Sequence, residues 1–192
     1  MIVGLLLIAT ALLLVGYNLS IDYRSGTQIN EIMNQIDDIL PTENADSQND
    51  QPEYLINPYI EMPIVTIDGT DYVGKISIPE LELELPVAAE WNYPNLRIAP
   101  CRYSGSVYLD NMVIAGHNYS SYFGHLKDLS AGDELIFTDA DSNVFRYQIV
   151  DMEILKPTDV EDMTTGEWDL TLFTCTVGGR TRLAIRCDRT DR

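Results

Sequence analysis

The sequence predicts an all-β domain, either a closed barrel or a sandwich, preceded by an apolar N-terminal segment and an acidic spacer. Three observations support this fold class. The chain has 192 residues, about the size of one domain. From about residue 72 onward it contains seven or eight short runs, most of which alternate apolar and polar residues with the period of a β-strand, while the run at 112–115 is wholly apolar, as in a buried strand. Residues that favour turns separate these runs.

Residues 1–19 are expected to form a transmembrane anchor. Ile2 to Gly16 is apolar apart from Thr10, and with residues 17–19 the run reaches about 18 residues, near the lower limit for a membrane-spanning helix. A cleaved secretory signal is the alternative. Such a signal usually has a cationic start and a small-residue cleavage site, and this sequence shows neither. A buried soluble helix is a third alternative. The sequence favours an uncleaved single-pass anchor in the cell membrane, with residues 20–192 outside.

Residues 20–71 are expected to form an acidic stalk that contains a short helix. From Ser25 to Gly74 there are ten acidic residues and no Lys or Arg. Apolar residues recur at helical spacing over about 26–40, and Pro41 ends this pattern. Residues 42–53 have no apolar periodicity, so they are predicted to be a flexible, self-repelling linker.

Residues 72–192 are expected to be the folded domain, and a domain of this size can bury an adequate core without disulfides. The predicted strands cover residues 73–79, 81–87, 112–115, 134–138, 144–155, 170–175 and 182–187. Short helical insertions are expected around 93–98 and 122–129. Gly178 and Gly179 form a strong turn signal between the last two strands.

The composition of the chain argues against several functions. Lys and Arg number 12 and Asp and Glu number 30, which gives a formal net charge of 12 − 30 = −18. A general nucleic-acid binder needs a cationic face, and docking on anionic lipid needs basic patches. The three cysteines are too few for a disulfide scaffold, and they include no CxxC pair, which argues against a structural zinc site.

A possible nucleophile and a possible base each end a predicted strand. Cys175 and His117 are separated by 175 − 117 = 58 residues, and two strand ends on one rim of a barrel could bring them together. A thiolate nucleophile needs a nearby cation or base. Arg180, Arg182 and Arg186 follow the cysteine, and an arginine can hold a developing oxyanion. Taken singly, residues of these types at such positions are more often structural than catalytic.

Several segments together resemble the signature of the sortases, the membrane-anchored cysteine transpeptidases of Gram-positive bacteria. They are Val113 to Asn118 (VIAGHN), Phe123 to Leu126 (FGHL), Thr171 to Cys175 (TLFTC) and Arg182. The strand pair at 72–79 and 83–87 is similar to the start of the sortase domain, so the likeness covers about residues 72–189. The order of histidine, TLxTC segment and arginine makes the resemblance specific.

The resemblance implies a sortase-type closed β-barrel of seven to eight strands with a catalytic trio of His117, Cys175 and Arg182. It also implies the role of each residue. Cys175 attacks the threonine carbonyl of an LPXTG-like sorting signal, Arg182 stabilises the oxyanion and helps to bind the peptide, and His117 protonates the departing amine. Arg180, in the turn, is the alternative to Arg182. Thr174 is implied to line the substrate groove.

The resemblance also implies the partners of the protein. They are the sorting-signal peptides of secreted surface proteins, an amine acceptor from a peptidoglycan precursor or a pilin lysine, and the membrane through the N-terminal anchor. No nucleic acid, cofactor or metal is expected, and no ligand spacing in the acidic loops supports the calcium site of some relatives. Cys101 and Cys187 are expected to be buried free thiols, with a disulfide between them as the alternative.

Two other functions and the subclass stay open. A cysteine hydrolase or peptidase would use the same trio with water as the acceptor, and a non-catalytic binding module would keep only the barrel. GHN followed by FGxL resembles class B enzymes. The short interval of 182 − 175 = 7 residues between cysteine and arginine resembles class D or the pilin group instead.

Overall fold

Alternating apolar residues build one β-sheet in the computed structural model, which describes residues 2–40 and 51–192. The described strands are β1 (Val65–Ile67), β2 (Thr70–Ile78), β3 (Leu83–Ala88), β4 (Cys101–Ser104), β5 (Met112–Gly116), β6 (Glu134–Asp139), β7 (Val144–Leu155), β8 (Leu170–Cys175) and β9 (Arg182–Arg189). The described helices are α1 (Ile2–Ile39), α2 (Glu53–Ile56), α3 (Tyr93–Leu96) and α4 (Val160–Thr164).

The sheet closes into a barrel. Its strand order is β1-β2-β3-β4-β5-β8-β9-β7-β6, and β2 also pairs antiparallel with β6. Strands β2 to β9 therefore form the closed barrel, while β1 extends β2 at its edge. This closure confirms the barrel prediction over the sandwich, because a sandwich would leave two separate sheets.

Gly74 allows the barrel to close. It lies where β2 changes register against β3 and meets Asp139 of β6. Its φ of +147° is rarely adopted by other residues, and a Cβ atom at this position would lie 2.0 Å from the carbonyl oxygen of Thr138. A glycine is therefore required where the two strands cross.

The predicted strands agree with the structure apart from short segments. The last two runs of the sequence become β8 and β9 at the expected places. The sequence missed β1 and β4, which have three and four residues and carry little alternation. The start of the second predicted strand, Leu81, instead ends a 3₁₀ turn that begins at Pro79, since a proline at the first position favours a helical turn.

Apolar residues of the sheet form two clusters on opposite sides of it. The larger cluster fills the barrel and contains inward-facing residues of most strands, such as Leu172 of β8 and Ile185 of β9. The smaller cluster lies outside β2 to β4, where Ile32 and Ile36 of α1 cover Tyr72, Ala88 and Cys101. The barrel is thus filled from within and covered on one side by the helix.

The second half of α1 packs against the barrel. Ile29, Ile32, Met33 and Ile36 are buried, at the helical spacing that the sequence predicted for 26–40. Lys75 of β2 forms an ion pair with Asp37 at 2.5 Å. The predicted short helix is therefore confirmed as the C-terminal part of a longer one. Residues 42–50 of the predicted linker lie outside the described residues.

The N-terminal expectation needs correction. Within residues 2–40 and 51–192, the structure contains no helix that is both long and apolar enough to cross a membrane. The predicted anchor over residues 1–19 is therefore not supported, and the single-pass membrane localisation with an extracellular domain is corrected with it. The apolar run was predicted to be a separate element, whereas α1 continues from it without a break through polar positions to Ile39.

Candidate active site

Strand pairing brings the three catalytic candidates to neighbouring positions. In the sheet, β8 lies between β5 and β9. Cys175, the last residue of β8, is the cross-strand partner of Arg182, the first residue of β9. On the other side Gly116, which ends β5, pairs with Thr174, so the next residue, His117, follows beside Cys175. Adjacent strands lie about 4.8 Å apart. A cysteine, a histidine and an arginine therefore converge at the ends of three adjacent strands.

The thiol and the guanidinium belong to the outer face of the barrel. Leu172 and Ile185 are paired and belong to the interior cluster. Side chains alternate along a strand, and cross-strand partners share a face. Phe173, Cys175 and Arg182 therefore lie on the opposite, outer face. Phe173 and Cys175 are both partly exposed there.

The other two cysteines are inaccessible. Cys101 lies beneath α1 and Cys187 lies in the interior cluster, so the two are on opposite sides of the sheet. Both are free thiols, which excludes the alternative disulfide in this structure. Burial raises the pKa of Cys101 to about 12 and also raises the pKa of Cys187. Neither thiol is suited to be a nucleophile.

We expect one of the three thiols to react with a thiol reagent in the native protein. Titration with a chromogenic disulfide should count a single fast thiol, lost in Cys175→Ala, and all three after denaturation, because only Cys175 is partly exposed. A fast reaction of Cys101 or Cys187 in the folded protein would contradict this description of the core.

The imidazole of His117 is held by aromatic contacts. Its ring stacks on Tyr119, with centroids 4.9 Å apart and an interplanar angle of 30°. Tyr119 in turn packs edge-on against Tyr122, whose hydroxyl donates a hydrogen bond to the carbonyl oxygen of Ile98 at 2.7 Å. The Phe123 amide donates to the carbonyl oxygen of His117 at 3.1 Å. The histidine is thus fixed by the segment that follows it.

Gly116 makes room for this arrangement. A Cβ atom at Gly116 would lie 2.5 Å from the Phe123 ring, so a larger residue would push that ring away. The close approach to the backbone at Gly116 is therefore made by the Phe123 ring. The hydroxyl of buried Thr174 donates to the Gly116 carbonyl oxygen at 2.8 Å, which ties β8 to β5 just before Cys175 and His117.

The surroundings of His117 favour its neutral form. Burial lowers the pKa of the His117 imidazole, and the positive charge of Arg97 lowers this pKa further. Arg97 is an exposed residue at the end of α3. Nothing in the sequence indicated that this arginine acts on His117, because the effect depends on the position of α3 in the folded chain.

We expect Arg97→Gln to raise the pKa of His117, because removal of a neighbouring positive charge makes the imidazolium less unfavourable. Activity should fall at high pH as the imidazolium loses its proton. In Arg97→Gln this fall should occur at a higher pH than in the wild type. NMR titration of the His117 ring is the measurement that follows this pKa directly. Arg97→Lys, which keeps the charge, should titrate like the wild type. An unchanged titration in Arg97→Gln would contradict the assignment.

Arg182 reaches into the turn that joins β8 and β9. Its Nη1 donates to the carbonyl oxygens of Gly179, at 3.2 Å, and Thr181, at 3.1 Å. The turn is closed by a hydrogen bond between the hydroxyls of Thr176 and Thr181 at 2.7 Å. Arg180, the alternative, is exposed within this turn, whereas Arg182 pairs directly with Cys175. The register therefore favours Arg182 as the arginine of the site.

A cavity of about 540 Å³ opens beside Cys175. Its other lining residues include Asn118, Phe123, Lys127, Met152, Ile154, Thr174, Val177 and Leu183. Most of these are apolar, and the volume falls in the range of ligand pockets. Among these residues, a role in the site was predicted from the sequence only for Thr174 and Cys175. Met152 and Ile154 of β7 were not identified, because only the pairing of β7 with β9 brings them near the cysteine.

In the part of the chain that the structure describes, no group of three or more His, Cys, Asp or Glu side chains could hold a metal ion. The second histidine, His125, lies on the surface. The chemical groups brought together at the strand ends are thus a thiol, an imidazole and a guanidinium. These groups suit acyl transfer through a covalent thioester.

Known proteins match this chain in sequence and in fold. Residues 76–190, more than half of the chain, match the family model described as the sortase domain. Sortase A of Bacillus anthracis is 26% identical over 155 residues, which cover 73% of this chain and 72% of that protein.

Solved structures give the same result. Sortase C1 from Streptococcus agalactiae is similar with a TM-score of 0.57 and 28% identity, over 66% of this chain and 72% of that chain. A sortase D5 transpeptidase from Clostridium perfringens has a TM-score of 0.58 over 89% of this chain and 99% of that chain. At 19% identity, the second structure supports the fold alone.

Proposed function

The chain belongs to the sortase family of cysteine transpeptidases, and from this premise we propose that it cleaves an LPXTG-like sorting signal through a thioester on Cys175 and passes the acyl group to an amine. The observation that carries the proposal is the register of β5, β8 and β9, which places His117 and Arg182 on either side of Cys175.

The first half of the reaction forms the thioester. The Cys175 thiolate attacks the carbonyl carbon of the signal's threonine, and the carbonyl oxygen becomes an oxyanion. Arg182 stabilises this oxyanion as a fixed charged donor on the same face of the sheet. The C–N bond then breaks, and His117, as imidazolium, donates its proton to the departing amine. The products are the thioester and a free amine.

The second half of the reaction transfers the acyl group. An incoming amine attacks the thioester carbonyl, and the neutral His117 now takes a proton from it. The C–S bond breaks, and the Cys175 thiolate is regenerated. Burial and Arg97 both favour the neutral imidazole, the form that this step requires. A single histidine thus serves as acid and then as base.

The proposed partners follow from this chemistry. The donor is the sorting-signal peptide of a surface protein, and the acceptor is an amine of a peptidoglycan precursor or a pilin lysine. Thr174 lines the cavity beside Cys175, which is compatible with a place in the substrate groove. The proposed reaction uses only groups of this chain, without a cofactor.

The test uses the full 192-residue chain with a small library of fluorescent LPXTG-type peptides and a glycine-based amine. Cleavage accompanied by ligation of the amine is expected, with one preferred motif. Cleavage without ligation in excess amine would overturn the transpeptidase proposal in favour of the cysteine hydrolase. Binding of peptides by folded protein without cleavage of any library member would indicate the non-catalytic binding module.

A further inference from the structure

Tyr122 is a fully buried tyrosine whose hydroxyl has three partners from two other parts of the chain. Its proton is shared between the carbonyl oxygens of Ile98, at 2.7 Å, and Arg97, at 3.1 Å, which directly follow α3. Because the proton points to these carbonyls, the hydroxyl oxygen is left as an acceptor, and the hydroxyl of Ser25 donates to it. Ser25 is a buried residue of α1. One hydroxyl therefore joins α1 to the end of α3.

Helix α1 meets the same segment at a second place. Gly26, the next residue of α1, passes so close to Ser121 that a Cβ atom at Gly26 would lie 3.4 Å from the Cβ atom of Ser121. One helical turn after Ser25, Ile29 of α1 belongs to the interior cluster that also contains Tyr122. The contact between α1 and this segment thus combines a buried hydrogen bond, a close backbone approach and apolar packing.

Tyr122 is joined in two ways to the residue that stacks on the proposed acid and base. Its amide donates to the Tyr119 carbonyl oxygen at 3.0 Å, and the two rings pack edge-on with centroids 5.5 Å apart. The other side of this contact is the stack of Tyr119 on the His117 imidazole, with centroids 4.9 Å apart. Packed rings have few alternative positions. A shift of Tyr122 therefore passes to the imidazole through a single intervening ring.

The turn that carries both tyrosines fixes the backbone but not the rings. The amide of Gly124 donates to the Tyr119 carbonyl oxygen at 2.9 Å, and a Cβ atom at Gly124 would lie 2.6 Å from that oxygen. The amide of Phe123 holds the His117 carbonyl oxygen in the same way. These bonds set the course of the chain, and the orientation of the two stacked rings depends on the side-chain contact from Tyr122.

The orientation of the imidazole is a requirement of the proposed reaction. The imidazolium donates a proton to the departing amine, and the neutral ring later takes one from the acceptor, so a ring nitrogen must come within hydrogen-bond distance of each amine. A displacement of about 1 Å can lower a rate by about 10²-fold. Ser25 and Tyr122 do not line the cavity beside Cys175, so they reach the reaction through the histidine.

We propose that a path from Ser25 through Tyr122 and Tyr119 ties the orientation of the imidazole to the docking of α1 on the barrel, which makes α1 a positioning element of the active site. The inference rests on the proposed function, in which His117 moves the protons. Tyr119 is the positioning residue in direct contact with the imidazole, and the other two hold Tyr119 in place. The same tyrosine hydroxyl also holds the backbone of Arg97, whose charge acts on His117.

Kinetics with the preferred donor peptide and a glycine-based amine test the last step of the path. Tyr119→Leu keeps apolar bulk but removes the ring. It should lower kcat about tenfold and leave KM within about twofold, because proton transfer slows while donor binding is unchanged. Tyr119→Phe, which keeps the ring that stacks on His117, should restore kcat to within about twofold of the wild type. Tyr59→Leu, at a tyrosine that is 81% exposed, is the matched control and should behave like the wild type.

Ser25→Ala and Tyr122→Phe test the step from α1, because each removes the hydrogen bond between the two hydroxyls. Ser25→Ala should lower kcat about threefold, the effect of one buried hydrogen bond. The double variant should lose no more than Tyr122→Phe alone, since both changes break the same path. Ser20→Ala, at an exposed serine of the same helix, is the matched control and should leave kcat unchanged.

NMR of the His117 ring separates positioning from stability. The face of an aromatic ring shifts the resonances of a ring stacked on it. The His117 ring protons should therefore move in Tyr119→Leu and, by a smaller amount, in Ser25→Ala, whereas Ser20→Ala should match the wild type. A role in stability alone would lower the melting temperature without moving these resonances. The readout needs folded protein but no activity, and Ser25→Ala removes only one oxygen atom if Tyr119→Leu folds poorly.

The outcomes distinguish the inference from the proposed function. With an active wild type, an unchanged kcat in Tyr119→Leu, or an equal loss in Tyr119→Phe, would overturn the inference alone. Unmoved His117 resonances in Ser25→Ala would overturn the link to α1. If the wild type cleaves no donor peptide, the proposed function fails, and the His117 resonances in Ser25→Ala still decide whether α1 positions the imidazole.

Discussion

Replacing Cys175 with alanine is expected to abolish both cleavage of the donor peptide and ligation of the amine. The sulfur is the only atom of the site proposed to form a covalent bond with the substrate, so its loss removes the thioester route altogether. We expect kcat/KM to fall by about 10⁴-fold or more, as when the covalent nucleophile is removed from other enzymes that use one. The rate is measured by release of the fluorescent peptide fragment and by chromatography of the ligation product.

Cys187→Ala is the matched control for this loss. It removes a sulfur from the same sheet, but from the packed interior, where Cys187 is fully buried. We expect this variant to lose some stability and to keep its activity. Residual ligation by Cys175→Ala at more than a small fraction of the wild-type rate, or equal loss in the two variants, would contradict the role given to Cys175.

Replacing Arg182 with alanine should have the second-largest effect. Arg182 pairs with Cys175 across the strands and is proposed to stabilise the oxyanion, which exists in the transition state and not in the bound substrate. Loss of one such donor typically lowers the rate by about 10² to 10³-fold. The loss should therefore appear mainly in kcat. Part of the loss would come from the turn, because Arg182 also donates to the Gly179 and Thr181 carbonyls.

Arg180→Ala separates the two arginines that the sequence left open. Arg180 lies exposed in the turn, two residues before Arg182, and its removal should lower kcat/KM by no more than about threefold. Single-turnover kinetics of both variants provide the measurement. A large loss in Arg180→Ala with a small loss in Arg182→Ala would assign the oxyanion role to the arginine of the turn instead.

Most of the barrel could be predicted from the sequence because most of its strands contain a recognisable pattern of apolar and polar residues. Alternation identified β6 to β9 nearly to the residue, and the Gly178–Gly179 pair marked the turn beside the site. The strands β1 and β4 were not predicted, because three or four residues are too few to show an alternating pattern. Their positions depend on pairing with β2 and β5, which the sequence does not display.

The sequence named the residues that are proposed for the candidate site, but it did not indicate their surroundings. The predicted strands end or begin at His117, Cys175 and Arg182, so the sequence pattern locates these residues. The strand register in the structure is compatible with one shared site. Arg97 and Arg186 could not be assigned in the same way. The first acts on His117 through the placement of α3, and the second is buried only because the β7–β8 loop folds over it.

The N-terminal segment was predicted as two elements but forms one helix. The apolar run at 2–16 and the amphipathic pattern at 26–40 were interpreted as two elements, because their compositions differ sharply. In the structure both belong to α1, and the second part packs on the barrel through Ile29, Ile32 and Ile36. Composition alone does not reveal whether a helix stops between two such patterns.

The central claim, a thioester on Cys175, is tested most directly by trapping the acyl-enzyme. The full chain is mixed with the preferred donor peptide without an amine, quenched in acid, and analysed by intact mass and by mass spectrometry of the peptide fragments. The mechanism predicts a mass increase equal to the donor segment up to its threonine, located on Cys175 and discharged on addition of a glycine-based amine. Donor cleavage without any adduct, or an adduct on another residue, would contradict the claim.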